Sequence, residues 1–267
     1  MFKRFILLLV LMVSLSPCIQ AAAPGNILNY SNGLMEYYAR YLDKITDKEC
    51  EETYIVMYPE KYGLNLENAK KKKADMADIR AKIDKKTAEL RKGSHTYSIL
   101  LRVKLGKYDS ANKGFPCRIV EDLSCITYRP FPDDADPLKK SDKQQAIVTR
   151  AYLFNKVNEI ELFFLNPGEF TILKYPEDKA DQLAAGKFQL DENKNFEVFV
   201  RMNVQILPGL EYKYKKKLQE IAGRISVRGL GKEYLMLARI ESIEVYNDET
   251  YEDKIGDVGS VNSRAVK

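Results

Sequence analysis

Tryptophan is absent from these 267 residues, and histidine occurs once, at His95. Hydrolase triads ordinarily use a histidine to shuttle a proton. Here that role falls to one residue beside Ser94, at an expected helix-to-strand junction with no activating context around it. No Gly-x-Ser-x-Gly, no phosphate-cradling glycine loop and no dinucleotide fingerprint is present. Gly229-Leu230-Gly231 is too short a signal and introduces no clear helix. Cysteine is scarce: Cys18, Cys50, Cys117 and Cys125. Their spacing does not suit paired zinc ligands, so no metal site or cofactor is expected. Positive charge is not concentrated: 43 Lys and Arg and 38 Asp and Glu mix along the chain, which is not the footprint of a nucleic-acid binder. After the first residues no second long apolar run occurs, so no transmembrane anchor is expected beyond the leader.

What is present begins at the N-terminus. Lys3 and Arg4 precede an unbroken apolar run, Phe5 to Val13, then Ser16-Pro17 and the small residues Ala21-Ala22-Ala23. Charge to orient the segment, a short apolar helix to engage an export machinery and small residues to fit a peptidase make residues 1–23 a secretory signal peptide. Its removal takes the formal charge from +5 to +3 and predicts a periplasmic or secreted location. Cys18 sits where a bacterial lipoprotein carries its acylated cysteine, and is the candidate lipidation site; Pro17 before it fits the peptidase poorly. The three later cysteines leave at most one intramolecular bridge in an oxidising compartment. Cys117 and Cys125 flank a short segment and are the candidate pair, with Cys50 able to join either.

The chain then divides into a helical region, 24–93, a β-rich region, 94–247, and a flexible tail, 248–267. Leu34, Tyr37, Tyr38, Tyr41, Leu42 and Ile45 recur at helical spacing, with Asn32 as a candidate cap. Tyr54 to Tyr58 reads as helix or strand and stops at Pro59. Leu66 to Arg91 is the longest helical stretch, with a narrow apolar stripe of Met76, Ile79, Ile83 and Leu90 among charges. Asp75 and Lys82 are placed to pair along it, and Lys70 to Lys73 reads as a solvated face. Beyond Gly93 the period changes to two. Strands are expected over Tyr97–Leu105, Ile119–Tyr128, Ala146–Phe154, Glu159–Leu165, Phe170–Tyr175, Phe196–Ile206, Arg224–Arg228 and Tyr234–Tyr246. Short helices are expected at Pro176–Ala185 and Tyr212–Ala222, the latter also readable as an edge strand. Helices followed by a mostly antiparallel sheet with one or two short helices define an α+β fold.

Reactive constellations are few. Asp133, Asp134 and Asp136 form the densest acidic cluster, followed by Asp248, Glu249, Glu252 and Asp253. Paired carboxylates cleave glycosides without histidine, and clustered carboxylates suit a hard cation, but both clusters lie in loop-like sequence. Tyrosine is abundant, at 17 residues. Tyr108, Tyr128, Tyr175 and Tyr246 fall near strand ends, where they are expected to pack over the rim of the core. Gly106-Lys107-Tyr108-Asp109 followed by Phe115-Pro116, and Asn166-Pro167-Gly168 ahead of a short helix, resemble an uncharacterised family of exported bacterial proteins with no assigned activity. The resemblance spans most of the chain after the leader. It implies a bacterial envelope setting and supplies no catalytic residues. The expectation is an exported envelope protein that binds or scaffolds another envelope protein or a glycan without catalysis. The alternatives are a carboxylate-dependent glycan hydrolase and a lipid-anchored outer-membrane accessory protein.

Overall fold

Phe196–Ile206 forms the strand that its alternation predicts, and every second side chain from Phe196 to Ile206 is buried. The computed structural model describes residues 26–121, 123–130, 147, 156–185, 195–225 and 233–259. Four helices come first: α1 (Tyr30–Tyr41), α2 (Asp47–Met57), α3 (Pro59–Leu64) and α4 (Ala69–Arg91). Three strands follow, β1 (Thr96–Leu105), β2 (Gly114–Pro116) and β3 (Cys125–Tyr128), then β4 (Glu159–Phe164), a 3-10 turn at Pro167–Glu169 and β5 (Ile172–Lys174). The last elements are α5 (Glu177–Ala185), β6 (Phe196–Ile206), α6 (Tyr212–Ile225), β7 (Glu233–Tyr246) and β8 (Lys254–Gly259). The fold is α+β, as the order of helical and alternating segments implies.

The described strands form one eight-stranded sheet in the order β1-β6-β7-β8-β5-β2. β7 organises it. One edge of β7 pairs antiparallel with β6, from Phe199↔Tyr246 to Ile206↔Ala238. Its other edge is shared: the first half pairs parallel with β4, which carries β3, and the second half pairs antiparallel with β8. β4–β7 is the one parallel pairing among these ladders. The sheet bends back at its β2 end, where Phe115 meets Phe196 of β6 edge-on with ring centroids 5.6 Å apart. Gly114 is required there, because a Cβ on it would overlap the Leu173 carbonyl oxygen of β5.

Helices cover both faces. On one face α1 packs against β4 and β7 and is backed by α2 and α4. On the other, Tyr214, Leu218 and Ile221 of α6 close a smaller apolar cluster with Phe163, Leu207, Leu235 and Leu237. One larger core runs through the helical layer and the sheet together, from Leu34, Tyr38 and Ile83 to Val200, Met202 and Met236. The helical and β-rich regions are therefore two layers around shared apolar residues.

Several expectations change. The Tyr54–Tyr58 segment is the end of α2, stopped by Pro59, which opens α3. Only Cys125–Tyr128 of the expected 119–128 strand forms. The chain first turns through Leu123 at φ 66, and Glu121 accepts from the Ser124 amide. Tyr212–Ile225 is helix, which overrides both the edge-strand alternative and the start of the strand expected from Arg224; residues 226–232 lie outside the described residues. The strand expected over 146–154 also lies outside them, except Ile147, which is helical and packs on the core. The flexible tail expected from residue 248 is ordered as far as Gly259. Asp248 accepts from the amides of Thr250 (2.8 Å) and Asp253 (2.7 Å), folding the acidic stretch into a turn. That turn delivers Val258 into the core and β8 onto β7. Residues 260–267 lie outside the described residues.

Candidate functional site

The helical layer starts from its caps. Asn29 and Asn32 cap α1 reciprocally, side chain to backbone amide, at 3.0 and 2.8 Å. Thr46 and Glu49 do the same for α2, and Asn68 accepts from the Lys71 amide at the start of α4. Such caps each contribute about 1 kcal/mol and fix where a helix begins. The narrow stripe of α4 is used as its spacing implies. Ile79, Ile83, Thr87 and Leu90 are buried and the opposite side is solvated, including Lys70, Lys71 and Lys73. Lys72 differs, pairing with Glu51 at 2.9 Å. Asp75 and Lys82 do not pair with each other: Asp75 meets Lys61 at 2.5 Å and Lys82 meets Asp78 at 2.8 Å.

Two carboxylates are buried where this layer meets the sheet. Glu36 of α1 accepts from Arg40 Nε at 2.5 Å and from Tyr97 OH of β1 at 2.8 Å. Arg40 also donates to the carbonyls of Leu90 and Gly93, closing the end of α4. Glu52 of α2 accepts four hydrogen bonds: from Tyr38 OH (2.8 Å), Tyr234 OH (2.5 Å), the Asn158 amide (2.8 Å) and Asn158 Nδ2 (3.1 Å). Burial pushes the Glu52 carboxyl above its ordinary range, although the donors from Tyr234, Asn158 and Tyr38 pull the other way. Around it Tyr37 stacks on Tyr234 with centroids 4.1 Å apart and on Tyr41 at 5.3 Å. Tyr41 OH accepts from the Leu237 amide at 2.8 Å. Every polar contact of these two carboxylates is internal, so they join layers and face no solvent.

On the outer side of the same helices lies a cleft of about 300 Å³ between α1, α2 and α4. Met35, Met57, Ile79 and Ile83 make its floor and walls, and Tyr58, Lys82 and Lys86 its rim. Lys82 Nζ stands 5.4 Å from the centre of the Tyr58 ring. The remaining lining residues are Ser31, Asn32 and Thr53. Two of these are spoken for: Asn32 caps α1 and donates to the Ile27 carbonyl, and Thr53 Oγ1 donates to the Glu49 carbonyl. The polar groups left to meet a ligand are the Ser31 and Tyr58 hydroxyls and the Lys86 ammonium; the Lys82 ammonium is already paired with Asp78 at 2.8 Å. Among the described residues the lining contains no carboxylate. Cavities of this size are at the lower end of small-molecule sites, which are mostly apolar with a few placed polar groups.

The residues singled out by sequence fall elsewhere. Cys18, Asp133, Asp134 and Asp136 lie outside the described residues. The Cys117–Cys125 bridge is not formed: Cys117 is a buried free thiol whose amide donates to the Thr171 carbonyl at 3.0 Å, while Cys125 sits opposite Phe163 on β3. The backbone holds Cys117 beside Thr171, just before β5, and Cys125 against β4. Cys50 is a buried free thiol in α2. His95 stands at the α4–β1 junction, close to Gly93, with Nε2 unpartnered among the described residues. Among the described residues no group of three His, Cys, Asp or Glu is placed to hold a metal, and no helix is long and apolar enough to cross a membrane. Tyr108 and Tyr175 pack as rim residues around Phe115, Tyr108 OH donating to the Tyr175 carbonyl at 2.9 Å.

Sequence reasoning missed the cleft and both buried glutamates. Met35, Met57 and Tyr58 carry no spacing signal that separates a cleft wall from a core face, and Glu52 is one acid in the run Glu49, Glu51, Glu52. Comparison with protein-family models, curated proteins and solved structures finds no match.

Proposed function

We propose that this is an exported bacterial envelope protein with a non-enzymatic binding role, and that the cleft between α1, α2 and α4 is its binding site. The observation that carries the reading is the cleft itself: a concave apolar surface of about 300 Å³ whose only charged lining groups among the described residues are Lys82 and Lys86. Rigid, capped helices tied to the sheet through Glu36 and Glu52 hold its walls, which is how a preformed site keeps the ordering cost of binding low. Methionines at Met35 and Met57 give those walls adaptable, polarisable surface. The charged-then-apolar opening of the chain supports the envelope setting.

Native mass spectrometry of the protein expressed from its full-length gene tests both parts. The reading expects a chain that has lost its leader near Ala21 to Ala23 and carries a bound small molecule. Met57→Trp, which fills the cleft from its half-buried wall, is expected to strip that molecule. An intact Met1 start refutes the export, and a ligand retained unchanged by the cleft-filling variant refutes the site.

A further inference from the structure

From the inventory of the cleft we infer the class of its ligand: a single-chain amphiphile with an anionic head, of medium chain length. This inference rests on the cleft being the binding site. The floor offers Met35, Met57, Ile79 and Ile83, with no hydrogen-bonding side-chain group among them. That suits a saturated chain and would leave a sugar's hydroxyls unpaired, at a cost for each. Asn32 and Thr53 already satisfy their polar atoms within the protein. What remains at the mouth is cationic: Lys86, and one turn before it on α4 Lys82, which is paired with Asp78 at 2.8 Å, both lysines exposed. Their long stems can lie along an apolar chain while the ammonium groups stay in water.

Charge decides between apolar ligands. A neutral alcohol or alkane leaves the Lys86 ammonium with nothing to meet, Lys82 being paired with Asp78, and a cationic amphiphile is repelled. An anionic head placed at the mouth meets Lys86 and the Ser31 hydroxyl, beside the Lys82–Asp78 pair, while its chain enters the floor. Volume decides between anionic amphiphiles: about 300 Å³ holds one chain, not the two of a diacyl lipid.

Calorimetric titration of the full protein with octanoate, decanoate and 1-decanol, below micelle-forming concentrations, tests the assignment. Affinity is expected to rise roughly fourfold for each added methylene until the floor is filled. Decanoate is expected to bind about threefold tighter than 1-decanol at low salt, the size of advantage that one exposed ion pair supplies. Lys86→Gln, at the lysine without an ion-pair partner, is expected to erase most of that advantage, with a much smaller effect on 1-decanol binding and on the unfolding temperature. Equal affinity for decanoate and 1-decanol overturns the ligand class but leaves the cleft a binding site. Silence from both probes, with a small molecule still retained by the purified protein, also overturns the class alone. A cleft filled by another segment of this chain or by a second copy gives silence with nothing retained, and then both readings fail together.

Discussion

Glu52 and Tyr234 are 182 residues apart in sequence and 2.5 Å apart in space, the tyrosine hydroxyl donating to a carboxylate that has no solvent exposure. This bond joins α2 to β7, and through Tyr38 and Asn158 it also engages α1 and the entry to β4. Glu52→Ala leaves four donors in a dry interface. It is expected to cost about 3 kcal/mol or more, whereas Tyr234→Phe removes one donor and costs about 1–2 kcal/mol. Urea unfolding of the two variants checks the ranking.

The two adjacent glutamates of α2 should respond to pH in opposite directions. Burial works against the Glu51 carboxylate, but hydrogen bonds from Lys72, Tyr62 and Lys156 outweigh it and bring the group down to about 2. Its stabilising contribution is complete above its ordinary value of 4.5 and is lost as pH falls toward 2. Glu52 is raised by burial, so its protonated form is favoured in the fold. Its contribution is complete below 4.5 and declines as pH rises through the folded value. The cost of Glu51→Gln should therefore shrink on acidification, and the cost of Glu52→Gln should be greatest in acid. Unfolding free energies measured between pH 3 and pH 7 read both slopes.

Gly209 supports the ring of Tyr41. A Cβ at this position overlaps the ring, and the ring is not free to swing, because its hydroxyl is fixed to the Leu237 backbone. Gly209→Ala should cost about 1–3 kcal/mol through overpacking. Adding Tyr41→Ala should remove most of that extra penalty in a double-mutant cycle.

The buried stripe of α4 and its lysine run should separate cleanly. Ile83→Ala is expected to lower stability by about 2–4 kcal/mol, since Ile83 is only 2 % exposed. Lys71→Ala, on the solvated side, should fall within about 0.5 kcal/mol of the parent. Thermal unfolding distinguishes them.

Sequence periodicity carried the elements whose burial is one-sided. Phe196–Ile206 and Tyr97–Leu105 alternate because one face of each strand meets the core, and the α4 stripe is narrow because one edge of that helix packs. Where local pattern and tertiary contact disagree, the pattern misled. Tyr212-Lys213-Tyr214 alternates like a strand, yet Tyr214, Leu218 and Ile221 match a helix that covers Phe163 and Leu237. Residues 248–253 read as an acidic tail because the Asp248 bonds that fold them run to backbone amides and leave no trace in composition. The cleft was illegible for a related reason. Met35 and Met57 come from two helices whose mutual approach is set by Glu52, Tyr38 and Tyr234, a contact of high sequence separation.

The most direct test of the cleft as the binding site is the methyl spectrum of protein labelled with ¹³C at its methionine methyl groups. The account predicts that adding decanoate moves the signals of Met35 and Met57, which line the cleft, and leaves Met202 and Met236, fully buried on β6 and β7, where they were. Unmoved Met35 and Met57 signals at saturating decanoate, or shifts confined to Met202 and Met236, would contradict it.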